Sequence, residues 1–185
     1  MPVFPGFPHV RALFVCGTAL TTSANFAAVP VGVAVAVVYD TSGSMRYPPA
    51  FARGNASEPK SRMAQRSFLK VIRRLEAFAT NPASPPLSIG IYVFRGQEAV
   101  NAHPLAPFDA AGLRQWLAQL KTPDAATPIG DALALAGRDL LGADAISRHI
   151  LVLTDGANTA GREPVAALDD LNREAAGKKS PCPST

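Results

Sequence analysis

A carboxylate and two hydroxyl groups follow the first strongly apolar segment of the chain. The stretch VGVAVAVVYDTSGSM begins at Val31, and Asp40, Ser42 and Ser44 stand at alternate positions after its run of valines and alanines. Short polar residues of this kind occur in ordinary turns. Their oxygens are also the ligands that a hard cation such as Mg²⁺ prefers. Gly43 relieves crowding between the two serines, so the three alternate side chains can turn towards one point.

Two later segments could complete such a site. Thr127 precedes Pro128 in the segment KTPDAATPIGDALALAGRDLL, and Asp155 follows the apolar segment HILVLT. Taken alone, Thr-Pro is an ordinary helix start and Asp-Gly after a strand is a common turn. The order and context of the motifs strengthen the signal. Asp-x-Ser-x-Ser follows one strand, Thr-Pro opens a helix, and Thr-Asp-Gly follows a later strand.

The elements that position these residues alternate between strands and helices. Apolar or alternating runs predict strands at residues 31–39, 87–94, 98–103 and 149–154. Helical periodicity or capping signals predict helices from residue 59, at 110–120, after 127 and at 162–177. This pattern predicts an α/β, Rossmann-like open and mostly parallel sheet with helices on both faces. Ligands of such sheets bind at the carboxyl ends of the strands, so we expect Asp40 and Asp155 at one edge.

With these motifs the sequence resembles a von Willebrand factor type A (VWFA) domain of the bacterial kind. The segments DTSGSM, TPIGDAL and LTDG match the metal-ion-dependent adhesion site (MIDAS) of that family, and the resemblance spans residues 31–176. It implies that the serines coordinate the ion through their hydroxyls and that the threonine binds it directly or through water. The aspartates would act mainly through water. The implied metal residues are Asp40, Ser42, Ser44, Thr127 and Asp155.

The ligand chemistry agrees with the resemblance. Carboxylate, hydroxyl and water oxygens suit Mg²⁺ or Mn²⁺, and few anionic ligands would bind the ion directly. An ion held in this way stays electron-poor, and an open position on it would attract a carboxylate from a partner protein. The expected function is therefore a metal-dependent protein-binding module, used in adhesion or assembly, and not an enzyme.

The chain departs from the family after its last predicted helix. Family members continue with two more strand–helix units, whereas here the chain runs into KKSPCPST, and Pro181 and Pro183 forbid a strand. The fold would therefore lack its last strand–helix units and leave the 149–154 strand as an exposed edge. An apolar edge strand favours self-association or completion by a partner. A non-functional truncated VWFA fragment is an alternative interpretation.

Two enzymatic alternatives depend on residues of the same loop. Asp40 after a strand could resemble the nucleophile of a haloacid-dehalogenase-like phosphatase, but those enzymes need a second acid where this chain has Ser42. Ser44 as a hydrolase nucleophile lacks the glycine-flanked elbow that exposes such serines. Neither alternative accounts for the three motifs together.

Composition limits the remaining classes. The 185 residues, of which 48% are hydrophobic, are enough for one domain with a core. The net charge is +4, but no aromatic stacking platform accompanies the basic residues, which argues against nucleic-acid binding. Cys16 and Cys182 belong to no CxxC pair, so neither a zinc site nor a disulfide framework is indicated. Many of the basic residues lie along one predicted helix: Lys60, Arg62, Arg66, Lys70, Arg73 and Arg74.

The amino-terminal region resembles an export signal. Residues 12–39 contain no charged residue, but the segment TTSAN and Pro30 interrupt them, so we expect no membrane-spanning helix. The segment RALFVCGTALTTSA has the basic residue, short apolar run and small residues of a secretory signal peptide. We therefore expect a leader at 1–30, the VWFA-like domain at 31–176 and a disordered tail at 177–185. The expected location is the periplasm, the cell surface or the exterior, with the cytoplasm as the alternative.

Overall fold

A computed structural model of the chain describes residues 32–49 and 58–178, and within them strands and helices alternate as predicted. The predicted leader and the last seven residues lie outside this part. A short 3₁₀ helix, Gly43–Arg46, follows the first strand. The strands are β1 (Val33–Tyr39), β2 (Leu87–Arg95), β3 (Glu98–Pro107) and β4 (Ser147–Leu153). The α-helices are α1 (Lys60–Ala79), α2 (Ala110–Ala118), α3 (Ile129–Gly142) and α4 (Pro164–Lys178).

The four strands form one open sheet in the order β3-β2-β1-β4. β1 pairs in parallel with both β2 and β4, so that Ala36 lies between Gly90 and Ile150, and β3 runs antiparallel to β2. This confirms the predicted Rossmann-like, mostly parallel arrangement. The chain leaves β1 towards β2 on one side and later reaches β4 on the other. Loops therefore diverge at the carboxyl ends of β1 and β4, which is where ligands bind in sheets of this type.

β1 is buried on both faces, which explains its nearly continuous apolar sequence. One face packs towards α3 and the other towards α1 and α2, so helices cover both sides of the sheet. The residues on the α3 side are Ala34, Ala36 and Val38. Those on the opposite side are Val35, Val37 and Tyr39.

Small residues allow the helices on one face to pack closely. Ala132 and Ala136 of α3 are fully buried in the same cluster as the alanines of β1. A Cβ at Gly137 would lie 2.3 Å from Leu171 Cδ1, so the leucine of α4 packs directly against α3 at this glycine. α3, which follows the loop that carries Thr127, is thus packed between the sheet and α4.

Several element boundaries differ from the prediction by one or two residues, and the end of β3 differs by four. β3 continues to Pro107 instead of ending near residue 103, because its later residues still pair with β2 after a register irregularity around Ile91. Its prolines are tolerated because β3 is an edge strand. α2 ends at Ala118, two residues before the predicted end. In the described residues, no helix is both long and apolar enough to cross a membrane.

β4 forms the other edge of the sheet in the part of the chain that the structure describes, pairing there with β1 alone. Two apolar side chains at this edge are exposed: Val152 by 37% and Ile146 by 64%. Unpaired strand groups beside apolar side chains template pairing with another chain. Self-association through β4 therefore remains a prediction, with its surface now defined.

A lysine on this edge should reduce self-association. We expect the light-scattering mass of the 185-residue chain to rise with concentration. In Val152→Lys the mass should stay closer to that of one chain, because charge on an edge strand opposes pairing. Val165→Lys is the matched control, since Val165 is a valine on α4 that is 71% exposed. A monodisperse wild-type monomer, or equal effects of the two substitutions, would contradict edge pairing.

Candidate metal centre

The structure brings all five predicted residues to one edge of the sheet. Asp40 directly follows β1, Asp155 lies two residues beyond β4, and Thr127 lies two residues before α3. A cavity of about 390 Å³ opens there, and its lining includes Ser42, Ser44, Thr127 and Asp155. Asp40 is not part of the lining.

The hydroxyl groups and one carboxylate form a connected chain of oxygens. Ser42 Oγ lies 3.0 Å from Ser44 Oγ. Ser44 Oγ in turn donates a hydrogen bond of 2.9 Å to Asp155 Oδ1. Residues 111 positions apart in sequence thus meet because β1 and β4 are parallel neighbours.

Asp40 supports this row of oxygen atoms from within the protein. It is 1% exposed, and its carboxylate accepts a hydrogen bond of 2.7 Å from the Ser42 backbone N–H. The hydroxyl of Thr154 donates to its other oxygen at 2.6 Å. Both bonds are charge-assisted and fix the carboxylate firmly. Asp40 therefore determines where the loop that carries Ser42 can lie.

Thr127 does not have the purely structural role of a helix cap. The residue that caps α3 is Pro128, with no side-chain capping bond. The backbone N–H of Thr127 donates to Thr159 Oγ1 at 3.0 Å, and the N–H of Thr159 donates to the Thr127 carbonyl at 3.1 Å. This reciprocal pair joins the loop before α3 to the loop after β4, and Thr127 lines the cavity between them.

Backbone bonds hold the remaining loops together. The N–H of Gly43 donates to the Ala125 carbonyl at 2.9 Å, and the Thr41 carbonyl accepts bonds from the N–H groups of Asp124 and Ala125. The loop after β1 and the loop before α3 therefore form one rigid wall of the cavity.

Lys60 also belongs to the site, although no sequence motif indicated it. Its ammonium group, on the first residue of α1, forms an ion pair with the Asp155 carboxylate. Burial by itself raises the pKa of Asp155. Hydrogen bonds from Lys60 and Ser44 lower this pKa, as does the positive charge of Lys60. The net result is a pKa of Asp155 below its ordinary value. Asp155 is thus ionised at neutral pH.

The donor set fits a hard divalent cation. Ligand oxygens at adjacent corners of an octahedron around Mg²⁺ lie roughly 2.8–3.0 Å apart. The distances of 3.0 Å between the two serine hydroxyls and 2.9 Å from Ser44 to Asp155 agree with that spacing. Across the described residues no three His, Cys, Asp or Glu side chains cluster as metal ligands. A cation here would depend on hydroxyl oxygens as well as carboxylates, which suits Mg²⁺ or Mn²⁺ better than metals that prefer sulfur or nitrogen.

No family model matches the chain, and no curated protein matches it. Solved structures do match. The PilB minor pilin from Streptococcus sanguinis has 22% identity and a TM-score of 0.57, over 69% of this chain and 30% of that protein's chain. The vWF domain of the type V pili tip protein Mfa5 from Porphyromonas gingivalis has 23% identity and a TM-score of 0.53, over 71% and 40% of the two chains.

A third similar structure is proximal thread matrix protein 1 from the mussel byssus, described with a zinc-occupied MIDAS motif. It has 19% identity and a TM-score of 0.59, over 78% of this chain and 36% of its own. The chain therefore spans less than half the length of each of these structures. At these identities the likeness shows the fold alone, which is von Willebrand factor type A-like.

Glycine at the start of α3 is needed to seat the loop after β4. A Cβ at Gly130 would lie 2.0 Å from the Arg162 carbonyl oxygen, which is backbone and cannot rotate away. The N–H of Gly130 also donates to Asn158 Oδ1 at 3.3 Å. The same loop carries Asp155 and Thr159, so any displacement of it opens the cavity wall.

Gly130→Ala should therefore destabilise the fold by about 1–3 kcal/mol, the range for overpacked sites. Gly142→Ala, on the same helix, should be neutral or stabilising by less than about 1 kcal/mol. No atom lies within 4 Å of a Cβ at Gly142. Urea denaturation of the two variants measures the difference. Equal midpoints would show that the loop does not depend on the close approach at Gly130.

Proposed function

We propose that this chain is a metal-dependent protein-binding module, in which a Mg²⁺- or Mn²⁺-type ion at the sheet edge receives a carboxylate from a partner protein. One observation carries the proposal. Apart from tyrosines, the polar or charged side chains buried in the described part of the chain are Asp40, Ser42 and Thr127, and all three belong to this site. Burying polar groups is unfavourable unless they are hydrogen-bonded or paired. Here Ser42 and Thr127 line one cavity, and Asp40 lies behind them, hydrogen-bonded to the Ser42 backbone.

The residues divide into ligands and supports. The hydroxyls of Ser42, Ser44 and Thr127 border the cavity and would hold the ion, with the carboxylates of Asp40 and Asp155 as the anionic oxygens. Asp40, Asp155 and Lys60 together carry a formal charge of −1. A bound divalent ion would supply positive charge and an open coordination position. The net charge would then be +1, which favours a carboxylate ligand over a cation.

The same geometry disfavours catalysis by these residues. Asp40 is 1% exposed and both of its oxygens accept hydrogen bonds, so it is badly placed to attack a phosphoryl group. Asp155 already accepts from Ser44 and pairs with Lys60, which leaves it a weak base for serine activation. The binding function is the better fit.

Similar structures support adhesion or assembly as the setting. One is a pilus tip protein domain, one a minor pilin and one a byssus protein with a metal-occupied MIDAS motif. By analogy we propose that this chain acts outside the cytoplasm and binds a protein that presents an acidic residue. The signal-like segment within residues 1–30 supports the same location.

Divalent metal should stabilise the folded chain. A ligand at about 100 times its Kd adds about 2.7 kcal/mol to the free energy of unfolding, so Mg²⁺ or Mn²⁺ should raise Tm. Asp40→Ala should abolish the rise, and Ser42→Ala should reduce it less if water replaces the hydroxyl. Ser67→Ala, an exposed serine on α1, is the control.

Calorimetry and titration of free Mn²⁺ by electron paramagnetic resonance measure these effects. A Tm unchanged by millimolar Mn²⁺ would argue against the site, as would a rise that persists in Asp40→Ala. A chain that melts without cooperativity, with or without metal, would support the alternative of a non-functional fragment.

Partner binding should depend on the ion. Immobilised chain should retain a specific protein from the source cell in Mg²⁺ and lose it in EDTA, because the carboxylate would have no ligand position. Asp40→Ala should fail in both buffers, whereas Ser67→Ala should behave as wild type. Retention that is equal in EDTA and Mg²⁺ would mean that recognition uses another surface.

A further inference from the structure

A second cavity lies beside the metal loop and is not part of the site described above. Its volume is about 450 Å³, and it lies between the start of α1 and the segment after α2. Three cationic residues, Arg46, Arg62 and Lys121, line it together with uncharged residues, and no carboxylate does. A concave surface with charge of one sign concentrates counter-ions.

The three cations are available to a ligand. Within residues 32–49 and 58–178, none of them forms an ion pair. Arg46 donates through Nε to the Gly43 carbonyl at 3.4 Å, which leaves its terminal nitrogens free of that bond. Guanidinium groups present paired donors that match the oxygens of carboxylate and phosphate groups.

A buried hydroxyl on a residue that lines this cavity is the second, independent observation. Tyr39 is 2% exposed and lines the cavity. Within the described part of the chain, its hydroxyl is the one buried side-chain polar atom that has no hydrogen-bond partner. The ring is held between Phe68 and Trp116, with centroid distances of 5.8 and 5.7 Å. A buried phenol without a partner is unfavourable and calls for an explanation, which a bound acceptor would provide.

We propose that this cavity is an oxyanion site, filled by a second acidic side chain of the same partner segment that reaches the metal. The proposal deepens the proposed function and rests on it for the source of the oxyanion. The two sites share one loop: Ser42 and Ser44 border the metal cavity, while Thr41 and Arg46 line the second one. A segment with one carboxylate at the metal would thus pass beside the cations, and the partner motif would carry two acidic residues.

The test titrates ¹⁵N-labelled chain in EDTA, at constant ionic strength, with glycine peptides that contain two aspartates separated by one to five residues. Peptides with two asparagines serve as the negative control, and inorganic phosphate is titrated in a separate experiment. We expect saturable NMR shifts at the amides of Arg62 and Lys121. The double variant Arg62→Gln/Lys121→Gln should weaken binding by about tenfold or more. Lys70→Gln, an exposed lysine elsewhere on α1, should leave it unchanged.

Tyr39→Phe separates a ligand-binding hydroxyl from a structural one. Because the hydroxyl has no partner in the described protein, its removal should leave the ligand-free Tm unchanged or raise it, and should still weaken peptide binding. A lower Tm with unchanged binding would overturn the role assigned to this residue and with it the proposed site.

The remaining outcomes distinguish the sources and the two sites. Saturation by phosphate without saturation by the dicarboxylate peptides would overturn the assignment to an acidic partner in favour of a free oxyanion. Non-saturable shifts, or equal loss in Lys70→Gln, would overturn the site altogether. Peptide binding is measured in EDTA and so does not depend on a bound metal, whereas the metal-dependent rise in Tm should persist in Arg62→Gln/Lys121→Gln. Failure of one proposal is therefore visible independently of the other.

Discussion

The buried carboxylate of Asp40 joins the ends of the two strands on which the site depends. It accepts one bond from the loop that follows β1 and another from Thr154, which follows β4. Removing a carboxylate from water is expensive, and it is tolerated only where hydrogen bonds replace the lost hydration. Here the two replacement bonds come from the two strand ends that must meet. The energetic requirement of one side chain therefore also sets the geometry of the hydroxyl cluster above it.

Much of this architecture is predictable from local sequence patterns. β1 is a continuous run of valine and alanine because both of its faces are covered, and that run identified it as a central strand. Parallel pairing then required Asp40 and Asp155 to share an edge. Thr127 could be predicted as a site residue only from the combination of the three motifs, because Thr-Pro alone is typical of any helix start. That these residues bind metal stays a prediction.

Other features depend on long-range packing and had no local signal. Lys60 reaches Asp155 only because α1 begins at Lys60. The sequence before Lys60 has no periodicity from which the position of this helix start could be predicted. Thr154 stood within a recognised motif, but nothing in the sequence showed that its hydroxyl faces Asp40. The isolation of the Tyr39 hydroxyl depends on the joint packing of α1 and α2 around it. Such features follow from tertiary structure and not from spacing.

The loop after β1 is shaped by two demands that meet at Gly43. Its flanking serines both line the candidate metal cavity, which requires little bulk between them. On its other side Arg46 lies against the loop, and a Cβ at Gly43 would be 3.3 Å from Arg46 Nη2 and 3.9 Å from the Ala125 carbonyl. A Cβ at this position would require the flexible end of the Arg46 side chain to shift by a few tenths of an ångström. The residues of this one loop thus border both an oxygen-lined cavity and a cationic cavity, and a partner with two acidic side chains is the ligand that such a pair of sites would recognise.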